Sequence, residues 1–180
     1  MQPSRFRLYD QAGLQPVFRR MARQTLAVAD GRPIALVGVL RRGAPLADRL
    51  LARIRVHAPW AEVSRLDLKV KRYADNLELL HPDTALEAPP GAELIGRRVI
   101  VVDDVLYQGH SLFRVFEWLA TQKPAQVHAA VLVDRQRWRN PVRADIVGVT
   151  LKIAPGDVIE CNVPPYEDDF AVDLWRPRAG

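Results

Sequence analysis

Two adjacent carboxylates after an apolar run are the residues in this chain best suited to chemistry. Asp103 and Asp104 follow Val99–Val102, and Gly109 and Ser111 come a few positions later. Neighbouring carboxylates accept hydrogen bonds from the vicinal hydroxyl groups of a sugar. A glycine loop that leads into a helix offers backbone N–H groups to a phosphate. We therefore expect a site for a ribose 5-phosphate, while two acids that merely cap a helix are the simpler alternative.

The elements that must position these residues are predicted to be alternating strands and helices. The β-branched run at Arg98–Val102 is typical of a strand buried on both faces. The predicted strands are 34–40, 63–70, 98–102, 127–133, 142–151, 158–162 and 170–174, and the predicted helices are 14–28, 45–55 and 111–121. This order predicts an α/β fold with a central, mainly parallel sheet flanked by helices, in which ligands bind at the carboxyl ends of the strands.

Length and composition favour a single domain over residues 1–180. Residues 71–94 contain three prolines and little periodicity, and we expect a long functional loop there. No apolar run approaches the length of a membrane span, and the first residues lack the apolar core of a secretory signal. The single cysteine, Cys161, excludes a disulfide framework and a cysteine metal cluster. We therefore predict a cytoplasmic protein with no membrane partner.

Positive charge is concentrated in the first third of the chain. Residues 1–60 carry 11 Lys and Arg against 3 Asp and Glu, whereas residues 144–180 carry 3 against 7. Of the 26 cationic residues 22 are arginine, the side chain suited to bidentate phosphate contacts. A basic surface favours RNA or a polyanionic substrate. Codon bias in a GC-rich genome would also produce an arginine excess, so both explanations stay open.

The segment Val99–Leu112 resembles the 5-phosphoribosyl 1-pyrophosphate (PRPP) motif of type I phosphoribosyltransferases, in which apolar residues precede two acids and a Thr-Gly-x-Thr-like loop. Its Asp-Asp-Val-Leu-Tyr run is most similar to the PyrR family, RNA attenuators of pyrimidine operons that also act as uracil phosphoribosyltransferases. The similarity continues in Leu36–Ala47, in Leu66–Leu68 with Arg72, and in Ala130–Gly148. It covers nearly the whole chain.

The resemblance implies the type I phosphoribosyltransferase fold, with a mobile loop at about 71–94 over the site. Asp103 and Asp104 would hold the ribose hydroxyls, and Arg72 would reach the pyrophosphate, so these three are the implied catalytic residues. The implied base pocket is Val133, Asp134, Arg135 and Val142. The implied PRPP and phosphate contacts are Arg41, Arg42, Val105, Leu106, Tyr107, Gln108, Gly109, His110 and Ser111.

The resemblance also implies partners and a cofactor. The ligands would be PRPP and a nucleobase or nucleoside monophosphate, with RNA as a further candidate and an assembly of two or more copies. Magnesium would arrive chelated by PRPP, so no dedicated metal-ligand cluster is expected on the protein.

The glycine loop departs from the family's pattern. Gln108-Gly109-His110-Ser111 stands where the family has Thr-Gly-Arg-Thr. Gln108 replaces a small hydroxyl residue, and His110 lacks arginine's permanent charge. Ser111 keeps a hydroxyl and is predicted to cap the following helix. Farther along, Glu167–Asp169 are predicted to form a solvated turn before the final strand.

Three functions remain open from the sequence. The first is a uracil phosphoribosyltransferase, which converts PRPP and uracil to UMP and pyrophosphate. The second is a weakly catalytic or non-catalytic regulator that senses nucleotides or PRPP and binds RNA. The third is a purine phosphoribosyltransferase, which the Leu132–Arg135 segment disfavours.

Overall fold

The computed structural model describes residues 4–70, 93–137 and 141–176. The elements in these ranges are β1 (Ser4–Tyr9), α1 (Gln11–Ala29), β2 (Ile34–Val39), α2 (Gly43–His57), β3 (Val63–Leu68), β4 (Arg98–Leu106), α3 (His110–Thr121), β5 (Gln126–Asp134), β6 (Ile146–Thr150), β7 (Val158–Asn162) and β8 (Ala171–Arg176). Every predicted helix and strand is present; β7 has the predicted bounds, and the ends of the others are shifted. The strand β1 was not predicted. The predicted loop lies outside the described residues, except for 93 and 94.

A five-stranded parallel sheet in the order β3-β2-β4-β5-β6 forms the larger part of the fold. Side chains of the central strand β4 alternate between its two faces. Ile100 and Val102 pack in the cluster that contains the buried sides of α1 and α2. Val99 and Val101 pack in the cluster that contains the buried side of α3. The predicted α/β class, with a parallel sheet between helices, is confirmed.

A three-stranded antiparallel sheet in the order β1-β8-β7 forms the smaller part. Its apolar side chains, including Ile159 and Val172, belong to the same cluster as α1 and α2, so the two sheets share a core. Asp173 of β8 is fully buried. Its carboxylate accepts hydrogen bonds from Arg5 and Arg7 of β1 and from Asn162 of β7. Each strand of the small sheet therefore contributes to one buried polar cluster.

The topology places a crevice between β2 and β4. The chain passes from β2 to its neighbour β3 on one side and then to β4 on the other, and such a switch point is where parallel α/β sheets bind ligands. The helix α2 starts directly against β4. The approach is so close that a Cβ atom at Gly43 would collide with the Val102 carbonyl oxygen. Among the described helices, none is long and apolar enough to cross a membrane.

Candidate functional site

Three loops meet at one edge of the five-stranded sheet. The strands β2, β4 and β5 are adjacent and parallel, so their carboxyl ends share that edge. Arg41 and Arg42 follow β2, Tyr107–Gly109 follow β4, and Arg135 follows β5. The fold thus brings together residues that the sequence predicted for pyrophosphate, for the 5-phosphate and for the base.

The two acids lie inside β4 rather than beyond it. The strand continues to Leu106, past the predicted end at Val102, because Asp103 and the residues after it keep pairing with β5. The Asp103 carboxylate accepts a hydrogen bond from the Asp104 amide at 2.9 Å, and the Asp104 carboxylate accepts one from the Val105 amide at 2.8 Å. Both carboxylates are therefore oriented by the backbone before any ligand binds.

Gly109 begins α3 and ends the loop. Its φ of 82° lies in the left-handed region that favours glycine. Because Gly109 is the N-cap, Ser111 is the second helical residue, and the prediction that Ser111 caps α3 is wrong. Neither N-cap residue, Gly109 of α3 or Arg42 of α2, caps its helix through a side-chain hydrogen bond. Both helices start at this edge with N–H groups that suit an anion.

The two residues that depart from the family's loop pattern contact each other. The His110 Nε2 atom lies 3.1 Å from the Gln108 Oε1 atom. Before them in the chain, Leu106 is buried against the α3 side of the sheet and Val105 packs on the opposite face. Tyr107 is exposed. Because the side chains of Val105 and Leu106 pack in the core, these two residues would contact a phosphate through their backbone groups. The predicted phosphate-binding roles of Val105–Ser111 all stay predictions.

Arg41 and Arg42 are each held by the turn between β7 and β8. Arg42 donates to Glu167 through Nε at 3.1 Å and through Nη2 at 2.6 Å, and its Nη1 lies 3.8 Å from the Asp104 carboxylate. The Arg41 guanidinium lies over the Tyr166 ring at 5.3 Å. The peptide bond between Leu40 and Arg41 is cis. The contacts with Tyr166 and Glu167 hold both arginines at the crevice.

Glu167 is a site residue that the sequence did not reveal. The predicted turn before the final strand is present, and Asp168 and Asp169 are exposed in it. The predicted solvation is wrong for Glu167 alone, because its carboxylate accepts hydrogen bonds from Arg42 and from the Val163 amide. The hydrogen bond from Arg42 lowers the pKa of Glu167 and raises that of Arg42, with burial opposing both shifts. The partners stand 125 residues apart, and no local pattern signals their contact.

Arg135 joins the end of β5 to the loop after β4. It is 7% exposed, its guanidinium lies 4.2 Å from the centre of the Tyr107 ring, and its Nη2 donates to the Asp157 carbonyl at 3.0 Å. Burial lowers the pKa of Arg135, although arginine remains charged at neutral pH. The buried Arg135 thus supports the Tyr107 ring through a cation–π contact.

The other predicted base-pocket residues are buried. The Asp134 carboxylate accepts a hydrogen bond from the Gln136 amide at 2.7 Å. Val133 packs in the core on the α1 and α2 side, and Val142 packs on the α3 side. Their roles toward a base stay predictions. Arg72 and residues 138–140, which belong to the predicted loop and base segment, lie outside the described residues.

Comparison with known families identifies this architecture. The phosphoribosyl transferase domain model matches residues 7–169. This chain belongs to the phosphoribosyltransferase family. It is 35% identical to the bifunctional protein PyrR of Deinococcus deserti over 144 residues, which is 79% of the chain and 78% of that relative. It is 32% identical to the bifunctional protein PyrR of Listeria welshimeri over 160 residues, which is 86% and 87% respectively. The predicted family is confirmed.

Solved structures show the same fold. The hypoxanthine phosphoribosyltransferase of Trypanosoma cruzi superimposes with a TM-score of 0.77 at 17% identity, covering 96% of this chain and 97% of that one. A hypoxanthine-guanine phosphoribosyltransferase from Bacillus anthracis gives a TM-score of 0.73 at 19% identity, covering 98% and 100%. The predicted type I phosphoribosyltransferase fold is therefore confirmed, and the acid pair of β4 lies at the switch point of that fold.

Proposed function

We propose that this phosphoribosyltransferase-family chain converts PRPP and uracil to UMP and pyrophosphate. The observation that carries the proposal is the backbone-oriented pair Asp103 and Asp104, which lies between two uncapped helix N-termini and beside Arg42. This arrangement suits a ribose that carries a phosphate at each end. The PyrR relatives favour uracil as the acceptor.

The reaction exchanges one bond at the anomeric carbon of the ribose. The bond from that carbon to the pyrophosphate oxygen breaks, and its electron pair leaves with pyrophosphate. A ring nitrogen of uracil supplies the pair for the new bond and loses its proton to solvent. Asp103 and Asp104 hold the ribose hydroxyls, so the carbon stays aligned between the two groups. Their charge also stabilises a cationic sugar ring in the transition state.

Arginines neutralise the charge that builds up on the leaving group. Arg41 and Arg42 follow β2 at the crevice. We propose that both bind pyrophosphate, together with Arg72, which comes after β3 in the sequence. Guanidinium groups suit this task because they offer several N–H donors in one plane. Positively charged donors that are already in place lower the cost of separating pyrophosphate from the sugar.

In this proposal the 5-phosphate and the base bind at the ends of two adjacent strands, β4 and β5. Backbone N–H groups of Tyr107–Ser111 at the start of α3 bind the phosphate. Asp134, the last residue of the neighbouring strand β5, and Arg135, which lies beside Tyr107, provide polar groups for the base. Val133 and Val142 supply the apolar packing behind them.

Magnesium fits this site as an ion that PRPP carries. Magnesium prefers oxygen ligands and commonly binds through substrate phosphates with one or two carboxylates. The described residues contain no group of three or more candidate ligands, and Asp103 with Asp104 offers two carboxylates. When bound, the ion would supply further positive charge to the pyrophosphate.

Formation of UMP from PRPP and uracil tests this assignment. We expect Asp104→Asn to reduce kcat/KM by roughly 10²–10³-fold, the range for losing one preorganised electrostatic contact to a transition state. Asp168→Asn changes an exposed acid of the β7–β8 turn and should leave the rate unchanged. Equal rates for Asp104→Asn and the unmodified protein would overturn the site. Turnover of hypoxanthine or guanine in place of uracil would overturn the substrate.

A regulator that binds RNA is the second candidate, and the surface of the first helices favours it. Arg19 and Arg23 on α1 and Arg55 on α2 are exposed, whereas Arg5, Arg7 and Arg42 are engaged in ion pairs. We expect RNA affinity to fall steeply as salt concentration rises, because phosphate contacts release counterions. Binding that does not change between low and high salt would contradict this candidate.

We also propose that the chain assembles into two or more copies, and light scattering of the purified protein tests this assembly.

A further inference from the structure

The turn between β7 and β8 contacts the loop after β2 at two consecutive positions. Tyr166 lies under the Arg41 guanidinium, and Glu167 accepts three hydrogen bonds from two nitrogens of Arg42. Consecutive residues of one segment thus hold consecutive arginines of another. The small sheet, which carries this turn, therefore reaches the crevice of the large sheet through these two contacts.

The contact with Glu167 determines which edge of the Arg42 guanidinium remains available. A guanidinium carries five N–H groups in a rigid plane. Glu167 binds the side that bears Nε and one N–H of Nη2. Nη1 lies on the opposite side, 3.8 Å from the Asp104 carboxylate. The contact of Nε and Nη2 with Glu167 therefore fixes the plane of the guanidinium and leaves the Nη1 side facing Asp104.

Glu167 is itself held in place. Its Oε2 accepts a hydrogen bond from the Val163 amide at 2.8 Å, and Val163 is fully buried. A continuous series of contacts therefore runs from a buried backbone amide through Glu167 and Arg42 toward Asp104. Arg42 and Glu167 are each about one-fifth exposed, at 21% and 22%, so water competes less for this pair than for pairs on the surface.

We infer that Glu167 is a positioning residue that orients Arg42 toward the pyrophosphate of PRPP. The inference rests on the proposed function, in which Arg42 binds the leaving group. Glu167 touches neither PRPP nor the base, and acts only through the direction that it gives to Arg42. Its loss should weaken binding of PRPP and of pyrophosphate, while the acceptor base binds as before.

Steady-state kinetics on Glu167→Gln and Glu167→Ala test this role. We expect Glu167→Ala to raise the KM for PRPP about tenfold, the size of one charge-assisted hydrogen bond, with the KM for uracil unchanged. Glu167→Gln keeps one oxygen for Arg42 and should show a smaller increase. Asp168→Asn, at the adjacent exposed position, is the matched control. Calorimetric titration with pyrophosphate should show the same order of affinities without relying on turnover.

The outcomes separate this inference from the proposed function. If the unmodified protein binds PRPP and both Glu167 variants bind it equally well, positioning by Glu167 is wrong while the proposed function stands. Tighter binding by the variants would also overturn the inference, since Glu167 would then compete with pyrophosphate for Arg42. If the unmodified protein binds neither PRPP nor pyrophosphate, the proposed function fails and the inference fails with it. Should Glu167→Ala not fold, Glu167→Gln decides between these outcomes.

Discussion

The three-stranded sheet buries a charged cluster in addition to apolar side chains, whereas the central strand of the five-stranded sheet buries an apolar run. The central strands of the large sheet bury apolar residues on both faces, as in Val99–Val102. The small sheet buries the carboxylate of Asp173 with the guanidinium groups of Arg5 and Arg7 against it. Burial of apolar surface is insensitive to pH, whereas a buried carboxylate contributes only while it is ionised. The two sheets should therefore respond differently to the same perturbations.

The largest effect on stability is expected in the large sheet. Ile100 is fully buried in the central strand, and Ile100→Ala should lower the free energy of unfolding by about 2–5 kcal/mol. The loss should be the same at each pH, because no ionisable group is removed. Urea unfolding between pH 4 and pH 8 measures it. Ile95→Ala, at a position that is 76% exposed, should cost less than about 0.5 kcal/mol. A loss at Ile100 that varies with pH would break the comparison.

A smaller effect is expected for Asp173→Asn in the small sheet. The substitution keeps the size of the side chain and removes the charge that Arg5 and Arg7 neutralise. Since both arginines are partly exposed, at 42% and 45%, water can replace the lost partner. We expect about 1.5–3 kcal/mol of destabilisation near neutral pH, the range for hydrogen bonds to charged groups. The measurement is again urea unfolding.

The stability difference between Asp173→Asn and the unmodified protein should depend on pH, because the pKa of Asp173 is shifted in the folded state. Burial alone would raise the pKa of Asp173, but hydrogen bonds from Arg7 and Arg5 outweigh it and lower the pKa below its usual value. A carboxyl group with a lowered folded-state pKa stabilises the protein above its unfolded pKa of about 4. That stabilisation is lost as the pH falls through the lower folded-state pKa. The two unfolding curves should therefore converge in acid, and a constant difference would contradict the assignment.

The smallest effect is expected at an ordinary surface ion pair. Arg114 and Glu117 lie three residues apart on α3, and both side chains are about half exposed. Glu117→Gln should change the free energy of unfolding by less than about 0.5 kcal/mol. Glu117→Gln and Asp173→Asn each remove one carboxylate charge, but the Glu117 side chain is half exposed and the Asp173 side chain is buried. Equal effects at both positions would show that the burial of Asp173 is irrelevant.

The contrast between apolar burial in the large sheet and charged contacts in the small sheet explains which parts of the fold were predictable. Continuous apolar runs such as Ile34–Val39 mark the buried strands of the large sheet, and short-range periodicity marks the helices. The strand β1 alternates arginine with apolar residues that are partly exposed. Its pairing depends on β8, more than 160 residues away. The alternation of arginine with apolar residues over Arg5–Leu8 is typical of a strand. The reason for arginine at these positions is Asp173 of β8, which is distant in sequence.

The site was predictable to the extent that it is local. Asp103, Asp104 and Gly109 lie within seven consecutive residues of one strand and loop, so their chemistry is visible in the sequence. The extent of β4 and the true cap of α3 depend on pairing with β5 and on the φ of Gly109. The contact between Arg42 and Glu167 joins distant segments through tertiary packing, which composition and spacing do not encode.

The close approach of α2 to β4 limits what evolution or a designer can place at one position. Any side chain at Gly43 would meet the Val102 carbonyl oxygen, with the Asp103 Cα 3.3 Å from its Cβ. The backbone at that point also carries the first acid of the site, so it cannot shift to make room without moving the carboxylate. In a library of all amino acids at position 43, selection for PRPP-dependent growth should therefore return glycine alone.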